Sequence, residues 1–159
     1  MNSYISSLLI CATLATMPQA NAANTVSRST AVSFVSILYR AALLRTNPSS
    51  DQGGMEYWVN ALVQGRGTCY TVAYSFVHSS EARLFVQKNM SNSQFVKYAY
   101  VAVLGRYPDA GGFAYWKNRL NSIAQTTAST QLVKARIDLL NLMLTSDEFG
   151  IRCARTGIE

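Results

Sequence analysis

The chain has 159 residues, with 14 Lys and Arg against 8 Asp and Glu, giving a formal net charge of +6. With 49% hydrophobic residues, 9 Gly and 3 Pro, its composition excludes a disordered tail and a collagen-like fibre. All of the Lys, Arg, Asp and Glu lie beyond residue 22, so the whole charge belongs to residues 23–159.

The first segment, residues 5–17, reads ISSLLICATLATM and is succeeded by PQANA, with small residues at Ala20 and Ala22. This is the layout of a secretory signal peptide over residues 1–22 with an A-x-A-like cleavage site. The apolar stretch is too short and too rich in Ser and Thr to span about 30 Å of hydrocarbon, so no transmembrane anchor is expected after cleavage. Residues 23–159 are then one exported domain, secreted or periplasmic. Cleavage removes Cys11 and leaves Cys69 and Cys153, an even set in an oxidising compartment, where a disulfide is the expected state. Neither C-x-x-C nor a multi-cysteine spacing is present, so zinc and thioredoxin-like chemistry lack sequence support and no metal or cofactor is expected.

Taken in chain order, the elements repeat. Unit one, about residues 31–88, opens with a helix lined by Phe34, Ile37/Leu38 and Ala41. After a turn comes a second helix lined by Met55, Trp58 and Leu62. Next, TVAYSFVHSSEARLFVQ is one bent helix or two short ones, with Val72, Phe76 and Phe85 inside. Unit two, about residues 91–150, begins with Ser91 and Gln94 at capping-box spacing before FVKYAYVAVLG. Phe95, Tyr98/Ala99 and Ala102/Val103 fall on one helical face. Gly105 and Pro108 end that helix, and Phe113, Trp116 and Leu120 line the next. NSIAQTTAST (residues 121–130) reads as a flexible loop. A longer helix with Leu132, Ile137, Leu140 and Leu144 comes after it, then a short terminal helix restarting at Ser146-Asp147-Glu148.

The correspondence between units is residue by residue. Phe34 matches Phe95, Tyr39 matches Tyr100, Leu43 matches Leu104 and Arg45 matches Arg106, all at an offset of 61. Past a turn of different length the offset is 58: Asp51 with Asp109, Gly53-Gly54 with Gly111-Gly112, Tyr57-Trp58 with Tyr115-Trp116, Leu62 with Leu120. At an offset of 67, Glu81 answers Glu148. No strand-and-turn series is present. The fold expected is therefore all-α, a compact helical bundle built from two related multi-helix units.

The pattern LGRYPDAGGFAYWKNRL together with the later LTSDEF resembles the bacterial domain of unknown function family numbered 4214. LLRTNPSSDQGGMEYWVNAL with HSSEA is its more divergent first copy. Helical linker domains of phycobilisomes are similar at a greater distance. The resemblance spans about residues 31–150. It implies an all-helical module of secreted or surface proteins and a linker-like role, with no catalytic residue or cofactor to carry over.

Asp51 and Asp109 are placed to cap the second helix of each unit, with Arg45 and Arg106 reaching over the turn to them; Gly54 and Gly112 permit close approach there. The alternative makes Arg45 and Arg106 the rim of a site for a carboxylate, phosphate or sugar. Trp58 and Trp116 share the core stripe, which puts Tyr57 and Tyr115 at the boundary, where an aromatic ring can meet a sugar or a partner chain. Glu81 and Glu148 stand near helix starts and read as caps. His78 is the sole histidine and has no ligand spacing around it. Basic residues are scattered, with no run or nucleic-acid motif, so a nucleic-acid partner is not expected. The expected function is a non-enzymatic interaction or scaffold module binding an exported protein or an anionic envelope glycan. The alternatives are a cell-wall glycan-acting enzyme using Asp/Glu acid–base chemistry, and a self-associating linker protein.

Overall fold

The computed structural model describes residues 26–87, 90–126 and 129–158, without the side chains of Phe85 and Gln87. The segment read as a signal peptide, residues 1–22, lies outside them. The described residues form eight α-helices and no strand. They are α1 (Arg28–Ala41), α2 (Gln52–Val63), α3 (Cys69–Val77), α4 (Ser80–Gln87), α5 (Asn92–Ala99), α6 (Ala110–Thr126), α7 (Ser129–Leu144) and α8 (Asp147–Thr156). A 3₁₀ turn, Pro48–Ser50, precedes α2, and a π-helical turn, Tyr100–Leu104, prolongs α5.

Short polar side chains start most of these helices by accepting the amide hydrogens that a first turn leaves without partners. Ser27 accepts from Thr30 N at 3.1 Å, and Ser146 from Phe149 N at 3.3 Å. Thr68 with Thr71, and Ser91 with Gln94, form reciprocal capping boxes. The TVAYSFVHSSEARLFVQ segment is two helices: the chain breaks at His78-Ser79, and Ser79 Oγ caps α4 through Ala82 N at 3.1 Å.

Two expectations are corrected. The segment 121–130 is helical through Thr126, because the apolar stripe of α6 continues past Leu120 to the half-buried Ile123. In α1 only Leu38 of the Ile37/Leu38 pair is buried; Ile37 is exposed, since adjacent helical residues diverge by about 100°.

The repeat is visible as two parallel series, α1–α2–α3–α4 and α5–α6–α7–α8. Buried side chains of both series form one cluster, in which Phe34, Leu38 and Phe76 of the first share the core with Phe95, Leu120 and Leu140 of the second. Burying a side chain such as Phe95 completely contributes about 1.5–3 kcal/mol. Helix α7 packs against α3, α4, α5, α6 and α8 and so ties the two series together. A disulfide joins Cys69, at the start of α3, to Cys153 in α8.

Candidate functional site

The duplicated residues gather in two related clusters. In the first, Tyr39 comes from the last turn of α1, Arg45 from the turn that comes after it, Asp51 from the N-cap of α2, and Glu81 from the first turn of α4. Arg45 grips Glu81 with two parallel bonds, Nε to Oε1 at 2.9 Å and Nη2 to Oε2 at 2.6 Å. Its Nη1 reaches Asp51 Oδ2 at 3.3 Å. The Tyr39 hydroxyl donates to the same Oδ2 at 3.0 Å, while Asp51 Oδ1 accepts from Gly54 N at 2.9 Å. The guanidinium also lies over the Tyr39 ring, 5.0 Å from its centroid.

The second cluster repeats the plan. Arg106 binds both oxygens of Glu148, its Nη1 stands 3.5 Å from Asp109 Oδ2, and Asp109 Oδ1 accepts from Gly112 N at 2.8 Å. Arg106 lies 5.1 Å from the Tyr100 ring centroid. One bond differs: among the described residues no hydrogen bond joins the Tyr100 hydroxyl to Asp109 as the Tyr39 hydroxyl joins Asp51. This cluster is also the more exposed, with the Arg106 and Glu148 side chains 41% and 45% accessible against 27% and 35% for Arg45 and Glu81.

Electrostatics fix the charges in both places. Glu81 and Glu148 are held below the usual carboxylate range, first by their arginines. Asp51 and Asp109 are lowered first by the helix-start amides of Gly54 and Gly112. Tyr39 is pushed up to about 12, first by burial and then by the neighbouring Asp51. These carboxylates are ionised hydrogen-bond acceptors near neutral pH, the opposite of a poised general acid. A cleft of about 180 Å³ opens beside the first cluster, between Trp58, Ser75 and Ser79.

Tyr57 and Tyr115 take no part in the hydrogen bonding of either cluster. They are 58% and 56% exposed. Each stands edge-on to its own tryptophan, Tyr57 to Trp58 at 5.0 Å and 81°, and Tyr115 to Trp116 at 4.9 Å and 82°. Trp58 and Trp116 are half-buried against the core, and Trp58 meets Phe76 at 5.5 Å. His78 bonds Asn141 Oδ1 at 2.8 Å and lies against the Tyr74 ring, 4.2 Å between centroids and tilted by 40°. Among the described residues no group of His, Cys, Asp and Glu is arranged to hold a metal ion, and no helix is long and apolar enough to cross a membrane.

Several features are not apparent from the sequence. Glu81 and Glu148 close on the arginines, while Ser79 and Ser146 do the capping; the shared offset of the two acids is the available signal. Arg136 is buried and donates to the carbonyls of Val86 and Met90, where α4 passes into α5. Arg152 binds the carbonyls of Ala102 and Val103 at the end of the π turn. Open space adjoins the disulfide in a groove of about 720 Å³, walled by Tyr70, Leu144, Asp147 and Phe149.

The duplicated clusters have a counterpart in the family comparison. The family described as Domain of unknown function (DUF4214) matches residues 15–85 and again residues 73–153. The chain belongs to the DUF4214 family. The two DUF4214 matches overlap over residues 73–85, the second half of α3 and most of α4, a stretch that includes Glu81. No curated protein and no solved structure matches the chain. The chemistry of this DUF4214 chain is therefore read from its own residues.

Proposed function

We propose that this chain is an exported, non-enzymatic interaction module, and that Tyr57 and Tyr115 are its contact residues for a protein or anionic glycan of the cell envelope. The observation that carries the reading is their pairing: two exposed tyrosines, at equivalent positions, each held edge-on by a half-buried tryptophan at nearly the same distance and angle. A tyrosine fixed in this way offers a large amphipathic surface with little side-chain entropy left to lose on binding. The arginine clusters belong to the framework in this reading, because both arginines are already engaged by two carboxylates. Export is supported by the residue 1–22 pattern and by the disulfide, which suits an oxidising compartment. The net charge of +6 favours an acidic partner.

The test is binding of the disulfide-intact protein to isolated envelope polysaccharide and to envelope protein extracts, with Tyr57→Ala/Tyr115→Ala beside the unaltered chain. Losing two aromatic anchors is expected to weaken binding at least about tenfold. Tyr70→Ala/Tyr74→Ala, which changes two other exposed tyrosines on α3, is the comparison that controls for general surface change. Equal binding by the Tyr57/Tyr115 variant and the parent would overturn the reading.

A further inference from the structure

Leu44 is the one described residue other than glycine with a positive φ, at 54°. At the equivalent place in the second series stands Gly105, with φ 69°. A side chain in this left-handed region costs roughly 1–2 kcal/mol, which is why glycine usually occupies it. Leu44 is also 48% exposed, so the strained residue leaves much of its apolar surface in water. Beside it is Tyr107, 75% exposed. Strain and apolar exposure coincide at a residue whose counterpart, a glycine, has no side chain to strain or to expose.

Leu44 and Tyr107 flank a groove of about 330 Å³ between the end of α1 and α5. Ala41, Met90, Tyr98 and Val101 supply the rest of its apolar lining, and the Tyr98 hydroxyl is already committed to the Ala42 carbonyl at 2.9 Å. Among the described residues the groove's charge and amide come from Gln94 and Lys97, one turn apart on α5. Gln94 Oε1 accepts from Ser91 N and Oγ in the capping box, so its carboxamide is oriented with the NH₂ left over as donor. Lys97 approaches the Phe113 ring and has no carboxylate partner among the described residues. Among the described residues no acidic one lines the groove. Gln94 and Lys97 are thus the charged and amide side chains of the described lining, and the rest of it is apolar.

We propose that this groove binds a single-chain alkyl carboxylate, its head on Lys97 Nζ and the Gln94 amide and its chain along Val101, Tyr98, Leu44 and Tyr107. A volume near the lower end of ligand-pocket sizes, about 300–1,000 Å³, suits one chain. A lining whose charge is a lysine, with a glutamine beside it, complements an anionic head, and Leu44 supplies apolar contact that glycine could not. This site is independent of the Tyr57 and Tyr115 surfaces.

The experiment titrates the disulfide-intact protein with decanoate below its micellar range by calorimetry, beside decylammonium and decanol. Saturable decanoate binding at one site is expected, with the other two at least about tenfold weaker, the worth of a charge-assisted hydrogen bond. Lys97→Gln should bring decanoate down to the level of decanol. Leu44→Ala and Leu44→Gly should weaken it alike, because both delete the same side chain. The glycine variant should nevertheless melt above the alanine variant, the reverse of the usual order, because only glycine is unstrained there. Tyr57→Ala/Tyr115→Ala should bind decanoate like the parent, which separates failure here from failure of the envelope-binding reading. Equal binding of decanoate and decylammonium, or indifference to Lys97→Gln, would mean nonspecific adsorption and overturn the proposal. Tighter binding of a peptide ending in Leu-Leu with a free carboxylate would replace the occupant and overturn it as well.

Discussion

At the scale of single residues, the paired glycines show how the clusters constrain sequence. A Cβ on Gly54 would lie 2.4 Å from the Tyr39 hydroxyl and 2.5 Å from Asp51 Oδ2; one on Gly112 would lie 2.2 Å from the Tyr100 hydroxyl. Gly53 has nothing within 4 Å of such an atom. The second glycine is thus required by close approach, whereas the first carries only the intrinsic cost of glycine in a helix. Gly53→Ala is expected to raise stability by about 0.5 kcal/mol, and Gly54→Ala to lower it by about 1–3 kcal/mol through overpacking. Denaturant titrations of the two variants check this, and equal effects of the same sign would refute it. The doublet is legible in the sequence as a repeated motif. Which glycine matters is not, because the answer lies in a tyrosine twelve or more residues away.

At the scale of elements, each arginine cluster fastens the turn between two helices to a third. Arg45 and Asp51 flank the α1–α2 turn and Glu81 anchors it to α4; Arg106, Asp109 and Glu148 join α5, α6 and α8 in the same way. The arginine–aspartate half is legible because both residues are near in sequence and recur in each unit. The glutamates are not, since nothing local says that an acid at a helix start will serve a distant arginine rather than its own amides. Half-exposed pairs are worth little individually, and the bidentate Arg45–Glu81 contact warrants about 1 kcal/mol after solvent screening. Because the folded-state pKa of Glu81 is lowered, that contribution is complete above the ordinary carboxylate range of about 4–5 and fades as pH falls through the lowered value. Glu81→Gln should therefore destabilise the protein at pH 7 and lose that difference progressively below about pH 4. Thermal melts at pH 7 and at acidic pH read this out. A difference from the parent that stayed constant down to about pH 2 would show that the carboxylate charge is not what the contact uses.

For the whole molecule, the decisive link is the one between the two series. The helical period and the repeat make the all-helical two-unit plan readable, leaving open whether TVAYSFVHSSEARLFVQ is one helix or two, and the even pair of cysteines makes the disulfide readable. How the series dock is less legible: it depends on α7 lying against five neighbours, and on Arg136 and Arg152 satisfying carbonyls that no local pattern assigns to them. Cys69 and Cys153 are separated by 84 positions, so the bond restricts most of the described chain in the unfolded state. Chain-entropy reasoning gives such a closure about 4–5 kcal/mol as an upper figure. Because both series share one buried cluster, its loss should weaken the entire fold in one step rather than release α8 alone. Cys69→Ala/Cys153→Ala is accordingly expected to unfold in a single transition at clearly lower denaturant concentration. Helix content by circular dichroism and the burial of Trp58 and Trp116 by fluorescence should fall together. Separate midpoints for the two probes would mean that the series are held mainly by the disulfide and not by their common core.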